Sequence, residues 1–468
     1  MRVLLVNPRS TDDATHSSVP LNPYVPYGLL YIGAVLEKAG HDTRILDRNA
    51  ECRNPGEVIR QFQPDIVGIS AMTGPCLVDA ISISESAKEI NKKIKVIWGG
   101  VHPSLFPEQI LTEPSIDMIV NREGELTIIE LLDILQSGGN PETVNGIYFK
   151  KNNTIVKTED RPMIKDINIL PDPAWHLIDV EKYIVRSKIN KRNSFTMNTS
   201  RGCPYKCTFC YNQKFDNNWR ALNAERILRQ VLYLQSTYNV NYINFLEDNF
   251  TVNKNRVREV CNLLIEQKVG LKWECESRIA VLDKKILELM RSAGCHLIGF
   301  GIESGSPKIL KMIKKQITID QIKETLHLCK KAGIWTDVYF MAGFPDEQLE
   351  DLDMTVTLLK KVPYKRADFM VYRPYPGSEL YEYCLDKGLF SPPQNMRDWG
   401  DISDVHSTKY SVGNISELVL NKVMLWNQKR NKVKHINYVL SEMPLRDLIK
   451  PTTLYKGLRY LKSAYSNS

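Results

Sequence analysis

Ser200 to Asn212 reads SRGCPYKCTFCYN and sets Cys203, Cys207 and Cys210 in a Cys-x3-Cys-x2-Cys array. Three thiols within eight residues cannot come from a regular strand, because alternate side chains point to opposite faces and Gly202 and Pro204 interrupt the ladder. The stretch is therefore a loop, and a loop of soft thiolates selects zinc or an iron-sulfur cluster. A structural zinc site closes with four ligands in paired knuckles, and no second knuckle lies nearby. Three cysteines on a four-iron cluster leave one iron open to an outside ligand.

Either side of this loop the chain alternates apolar runs with helical spacing. Arg2 to Pro8, Thr43 to Asp47, Asp65 to Ser70, Lys95 to Trp98 and Asp117 to Val120 read as strands. Tyr27 to Ala39, Pro55 to Gln63, Leu77 to Ile90 and Glu125 to Leu135 read as the helices between them. That order predicts a doubly wound, Rossmann-like α/β domain over residues 1–140, with its ligand crevice at the carboxyl ends of the strands. Asn7, Ser70 to Gly74, Gly99-Gly100-Val101-His102 and Arg122-Glu123-Gly124-Glu125 stand at those ends. The first strand is not followed by G-x-G-x-x-G, which disfavours a dinucleotide. A hairpin at Gly146 to Thr158 and a three-proline linker fill 141–190. After the cluster loop, further strand-helix units across 191–395 imply a partial parallel (β/α)6 barrel, whose active residues sit at the carboxyl ends of strands. Residues 396–468 lose the alternation and form a basic, mostly helical C-terminal region.

The cysteine array, with Phe209 just before its last member, resembles the signature of the radical S-adenosylmethionine (SAM) enzymes. The first 140 residues look like the cobalamin-binding domain that precedes the barrel in one branch of that family, where Gly-Gly-x-His and Glu-Gly-Glu runs recur. The resemblance implies a [4Fe-4S] cluster on Cys203, Cys207 and Cys210. It further implies SAM contacts from Phe209, Glu247, Asp248, Arg278, Glu303 and Ser304, with the carboxylates meeting the amino group and ribose and Arg278 the carboxylate. Cobalamin would lie against Asn7, Ser70, Met72, Thr73, Gly99, Gly100, His102, Glu123 and Gly124. The Asp-x-His-x-x-Gly motif that brings an axial histidine to cobalt elsewhere is absent, so His102 is expected to hydrogen-bond rather than to ligate cobalt.

The expected activity is methyl transfer to an unactivated carbon of a small-molecule or lipid-like substrate, with an electron donor such as flavodoxin or ferredoxin. Cyclisation, rearrangement or carbon-carbon coupling without methyl transfer is the alternative. A methylthiotransferase acting on RNA fits less well, since those enzymes carry three cysteines in their first domain and Met1 to Asn198 holds only Cys52 and Cys76. A non-enzymatic binding module would leave the acidic strand ends without a purpose.

Composition sets the outer limits. The chain has 468 residues, 43% of them hydrophobic, enough for two or three cores and too apolar for a disordered chain. With ten cysteines and no leader pattern, a reducing, cytoplasmic setting is expected. The net charge is +8, and from Asn421 to Ser468 ten Lys and Arg face only Glu442 and Asp447, so the whole excess sits in the tail. The folded domains are near neutral, which argues against a nucleic-acid surface. A basic stretch such as Leu454 to Tyr465 could touch a membrane surface peripherally.

Overall fold

The computed structural model describes residues 1–10, 23–152, 154–187, 192–215, 217–279, 282–403 and 411–442. The basic stretch Leu454 to Tyr465 lies outside them. The chain divides into two compact units, Met1–Ile184 with Ser391–Asp404, and Val185–Phe390 with Val405–Ser468.

The first unit is built on seven strands: β1 (Arg2–Asn7), β2 (Asp42–Asp47), β3 (Ile66–Ser70), β4 (Lys95–Gly99), β5 (Met118–Val120), β6 (Ile147–Lys151) and β7 (Thr154–Lys157). Their order is β2-β1-β3-β4-β5-β6-β7, and the first five are parallel. The expected hairpin forms β6 and β7 and joins the edge antiparallel. Helices on both faces bury the sheet, so β1 reads as an unbroken apolar run, Val3, Leu4, Leu5 and Val6 being almost fully enclosed. The chain leaves β1 toward β2 on one side and leaves β3 toward β4 on the other, which opens a crevice at the carboxyl ends of β1 and β3. The sequence is less plain after β4. Val101–Leu105 forms a short helix, followed by a second at Pro107–Leu111.

The second unit holds β8 (Val185–Ser187), β9 (Arg192–Met197), β10 (Ser200–Arg201), β11 (Arg220–Ala221), β12 (Tyr242–Phe245), β13 (Lys272–Ser277), β14 (Cys295–Glu303), β15 (Trp335–Ala342) and β16 (Arg366–Val371). β9 and β12 to β16 make six parallel neighbours in the order β16-β15-β14-β13-β12-β9, an open half-barrel with β8 antiparallel on one edge. Alternate residues divide between the two faces. Trp273 and Cys275 of β13 turn to the helices, where Trp273 packs with Phe245 and Phe250 at ring distances of 5.6 and 5.5 Å. Glu274 and Glu276 turn to the concave face. Cys261, Cys275, Cys295 and Cys329 are all buried on the helix side, as scattered structural thiols should be.

Helix Glu417–Glu442 covers the free edge at β16. Asn431 Oδ1 accepts from the Ala367 N–H at 3.0 Å and Asn427 Nδ2 donates to the Ala367 carbonyl at 2.9 Å, which blocks further strand pairing there. Among the described residues no helix is long and apolar enough to cross a membrane.

Candidate functional site

The cluster loop leaves β9 at the carboxyl end of the half-barrel. Its two arms are joined by the β10–β11 ladder, which pairs Ser200 with Ala221 and Arg201 with Arg220. Its middle is anchored on the Thr208 backbone, whose N–H donates to the Ile313 carbonyl at 3.1 Å and whose carbonyl accepts from the Leu380 N–H at 2.8 Å. These clamps fix the loop on both sides of the cysteines. Cys207 is buried, while Cys203 and Cys210 are half-buried.

Burial raises the Cys203 thiol and pushes Cys210 up to about 12, and the charge of Asp248 adds to both. Backbone N–H groups of Tyr205 and Asn212 bond to the same sulfurs and pull the other way. Such thiols stay protonated until a metal replaces the proton, which is the behaviour of a cluster loop. Among the described residues no three His, Cys, Asp or Glu side chains converge at the spacing of ligands to one ion. Thiolates on separate irons of a cluster stand farther apart.

Arg278, just past β13, adds the second feature. Its Nη1 lies 3.5 Å from Cys207 Sγ, its guanidinium covers the Tyr205 ring at 4.1 Å, and its Nη2 is buried without a partner among the described residues. A buried N–H left unmade costs about 1–3 kcal/mol, so Nη2 points to an acceptor that belongs there. Asp248 is exposed and close enough to charge Cys203 and Cys210, with Oδ2 accepting from Asn212 Nδ2 at 2.8 Å. Phe209 packs on Phe344 at 6.4 Å between ring centres, and Lys315 Nζ stands 5.7 Å from the Phe209 ring.

Glu247 behaves differently from its neighbour Asp248. It is buried and accepts from the Thr199 N–H at 3.1 Å and from the Thr199 and Ser200 hydroxyls, with Arg256 Nη1 3.8 Å away. Arg256 in turn donates to the carbonyls of Leu222, Thr199 and Phe250. The network ties the end of β12 to both arms of the cluster loop, so the Glu247 carboxylate is occupied by the protein itself. Glu303 sits in the left-handed region at φ 70°, at a break in the β14–β15 register, with its Oε1 2.7 Å from Lys315 Nζ. Both side chains are buried, so each offsets the charge of the other. Ser304 is fully enclosed, its hydroxyl 3.2 Å from Thr355 Oγ1 and accepting from the Ser306 N–H at 3.1 Å, which shapes the turn after β14.

In the first unit the predicted residues separate into lining and support. Ser70, Thr73, Gly99 and Gly100 are half-buried at the ends of β3 and β4, and Met72 is 59% exposed. Gly100 adopts φ 101°, and a Cβ there would lie 2.7 Å from the Ala71 carbonyl oxygen, so only glycine lets these loops meet. Asn7 donates to Asp47 Oδ1 at 2.9 Å, and Asp47, held by the Tyr183 hydroxyl at 2.6 Å, is raised by burial. Glu123 Oε2 accepts from the Ile164 N–H at 2.8 Å, tying the linker down, and Gly124 leaves room for Ile32.

His102 is fully buried. Its Nδ1 is 2.9 Å from Thr73 Oγ1, its ring lies between Phe106 at 5.2 Å and Trp399 at 5.3 Å, and its Nε2 has no partner among the described residues. Burial lowers its pKa to about 3, so it is neutral. The ring is enclosed by protein, and among the described residues its one hydrogen-bond partner is Thr73.

Sequence reasoning missed Thr199, Arg256, Lys315 and Trp399, all of which act by contacts across long stretches of chain. A capping Asn253 just before Arg256 was the only local sign.

The sequence matches the radical SAM superfamily over residues 197–359 and the B12 binding domain over 18–132. A protein of Pyrococcus horikoshii described as an uncharacterized methyltransferase is 33% identical over 438 residues, 92% of this chain and 94% of that protein. The anaerobic magnesium-protoporphyrin IX monomethyl ester cyclase of Rubrivivax gelatinosus is 30% identical over 398 residues, 83% of this chain and 70% of that one. The structure of the radical S-adenosylmethionine methyltransferase TsrM from Kitasatospora setae, with cobalamin and a [4Fe-4S] cluster bound, matches with a TM-score of 0.68 at 16% identity, covering 82% of this chain and 75% of that chain. With the cysteine loop and the β2-β1-β3-β4-β5 sheet on one chain, the protein belongs to the radical SAM superfamily, in the branch that carries a B12-binding domain.

Proposed function

We propose that this chain is a cobalamin-dependent radical SAM methyltransferase that acts on an unactivated carbon of a small molecule. One observation carries the reading: a three-cysteine loop backed by a buried guanidinium with an open Nη2 shares the chain with a B12-type sheet. When bound, the cluster and SAM supply a deoxyadenosyl radical that removes a substrate hydrogen, and cobalamin supplies the methyl group.

The chain's own residues bind, orient and exclude water. Cys203, Cys207 and Cys210 hold the cluster. Arg278 Nη2 takes the SAM carboxylate, where a guanidinium matches two oxygens better than a lysine would. Asp248 accepts from the SAM ammonium, a role that Glu247 leaves to it by bracing the loop base. Phe209 and Glu303 flank the rest of SAM, with Lys315 fixing the Glu303 carboxylate and Ser304 the turn that presents it. In the first unit Ser70, Met72, Thr73, Gly99 and Gly100 line the cobalamin face. Asn7, His102, Glu123 and Gly124 act behind them by holding loop ends in place. An electron donor such as flavodoxin or ferredoxin, in the cytoplasm, completes the proposal.

A second reading, cyclisation without methyl transfer, is favoured by the likeness to the cyclase relative. The test is elemental analysis of protein made anaerobically with cobalamin supplied, together with Cys207→Ala. About one cobalt per chain and a methylated product support methyl transfer. Full iron content and deoxyadenosine formation without cobalt would overturn it in favour of the second reading. Iron retention and deoxyadenosine formation in the Cys207→Ala protein would remove both.

A further inference from the structure

Beyond β15 the chain turns through Gly343-Phe344-Pro345-Asp346-Glu347, and the turn is closely enclosed. Gly343 adopts φ 84°, and a Cβ there would lie 3.2 Å from Ser411 Oγ. Gly413 presses on the turn from the same returning segment, since a Cβ on it would come within 2.6 Å of the Phe344 carbonyl oxygen. The Phe344 ring is fully buried, stacked on Tyr372 at 5.1 Å and packed on Phe209 at 6.4 Å. Phe209 directly precedes Cys210, so this turn backs the last cysteine of the cluster loop.

One carboxyl group holds the turn from within. Glu347 is fully buried, and its Oε2 accepts from the Gly343 N–H at 2.5 Å and the Phe344 N–H at 3.3 Å. Its own N–H donates to the Phe344 carbonyl at 3.1 Å, while Oε1 is buried with no partner among the described residues. The charges that act on it are Asp351, in the helix Leu349–Lys361, and Lys308, in the helix Pro307–Met312, and these two pair with each other at 3.0 Å. The other neighbours of the turn, Ser411, Leu420, Val371 and Tyr372, are uncharged, and the adjacent Asp346 turns outward to the Tyr383 hydroxyl at 3.0 Å. Burial pushes Glu347 up to about 7 against the pull of the two N–H groups, so this acid gains and loses its proton near neutrality.

We infer that Glu347 is a positioning residue for SAM binding: as a carboxylate it holds the Gly343–Phe344 turn, and the Phe344 ring in turn holds Phe209 and the Cys210 arm of the cluster loop in their binding arrangement. A hydrogen bond to an ionised acceptor is roughly twice as strong as one to a neutral acceptor, so a proton on Glu347 loosens both N–H contacts at once. Phe344 then backs Phe209 less firmly, and SAM binds better above neutral pH than below it. The inference rests on the proposed SAM chemistry and adds to it a residue that neither the cysteine loop nor the acids proposed to contact SAM include.

The experiment is calorimetric titration of the full, cluster-loaded chain with SAM at about pH 8 and about pH 6, roughly one unit either side of the Glu347 value. Glu347→Gln keeps the shape and an acceptor for both N–H groups but cannot ionise. It should weaken SAM binding roughly tenfold at the higher pH, and by less than about twofold at the lower one, where the native residue is itself protonated. A loss of equal size at both values, which a purely structural role would give, or no loss at either, overturns the inference. Phe344→Leu tests the route and decides the matter if Glu347→Gln loses its iron: with iron content retained it should weaken SAM binding at both values, and unchanged affinity overturns the inference. Native protein that binds no SAM at either pH loses the proposed function itself, whereas SAM binding that neither variant alters loses only the role of Glu347.

Discussion

Replacing Trp399 with Ala should loosen the crevice of the first unit without touching any residue that lines it. Trp399 is 1% exposed and packs on Phe106 at 4.8 Å and His102 at 5.3 Å, with its Nε1 donating to Gln109 Oε1 at 3.1 Å. Gln109 Nε2 donates back to the Pro393 and Gln394 carbonyls at 3.3 and 3.2 Å, so the returning strand of chain is fastened at both ends of one side chain. Truncating a buried Trp costs about 3–5 kcal/mol, a large part of the roughly 5–15 kcal/mol that holds a domain together. Water then reaches His102, its pKa climbs from about 3 toward the ordinary value, and its bond to Thr73 loosens. Hydrogen exchange read on a peptide spanning Gly99 to Leu111 is the assay. At about 4 kcal/mol, protection of the helix Val101–Leu105 should fall roughly a thousandfold, since each 1.4 kcal/mol is tenfold. The cobalt-to-protein ratio should fall with it while iron content holds. Trp399→Phe keeps most of the packing and should cost only about 1 kcal/mol for the lost hydrogen bond. A protection loss under tenfold in the Ala variant, with cobalt unchanged, would refute the support role given to Trp399 and His102.

Two further outcomes are expected. Arg278→Gln should keep the iron content and weaken SAM binding about ten- to hundredfold, the worth of a charged hydrogen bond, measured by titration of the cluster-loaded protein; unchanged affinity would remove Arg278 from the SAM site. Stability should depend on pH with opposite signs in the two units. Burial pushes Glu276 up to about 7, so the folded state holds its proton better than the unfolded chain, and this group adds about 2 kcal/mol as pH falls from 8 to 5.5. His102, lowered to about 3, sheds its proton on folding and takes away about 1.4 kcal/mol by pH 5.5. Denaturant unfolding should therefore find Glu276→Gln more stable than the native protein at pH 8, with the gap closing by pH 5.5. An equal gap at both values would argue against the raised Glu276.

Strand identities and the cysteine loop were legible because both are local patterns: β1 is four apolar residues before Asn-Pro, and the cysteines lie within eight positions. The first helix after β4 was not, since Pro103 in its middle reads as a breaker although a proline is tolerated in the first turn. The candidate contacts were legible as strand ends but not as ligands or supports. Glu247 and Asp248 are adjacent and chemically alike, and only Thr199 and Arg256, brought in from other elements, set them apart. Glu303 is paired by Lys315 twelve residues on, beyond any helical or strand repeat that a pattern could use. Trp399 lies 290 residues from Gln109, where no local rule reaches.

Hydrogen-bond accounting sorts these residues where chemistry alone does not. A buried polar atom that the fold satisfies is part of the scaffold, and one that it leaves open carries a cost of about 1–3 kcal/mol that a partner relieves. Glu247 accepts three hydrogen bonds and Ser304 two contacts within its own turn, which places both on the scaffold side. Arg278 Nη2 and Asp337 Oδ1 fall on the other side, one donor and one acceptor, both buried and both open among the described residues. An open donor asks for an anion and an open acceptor asks for a proton donor. The SAM carboxylate proposed above would answer the first.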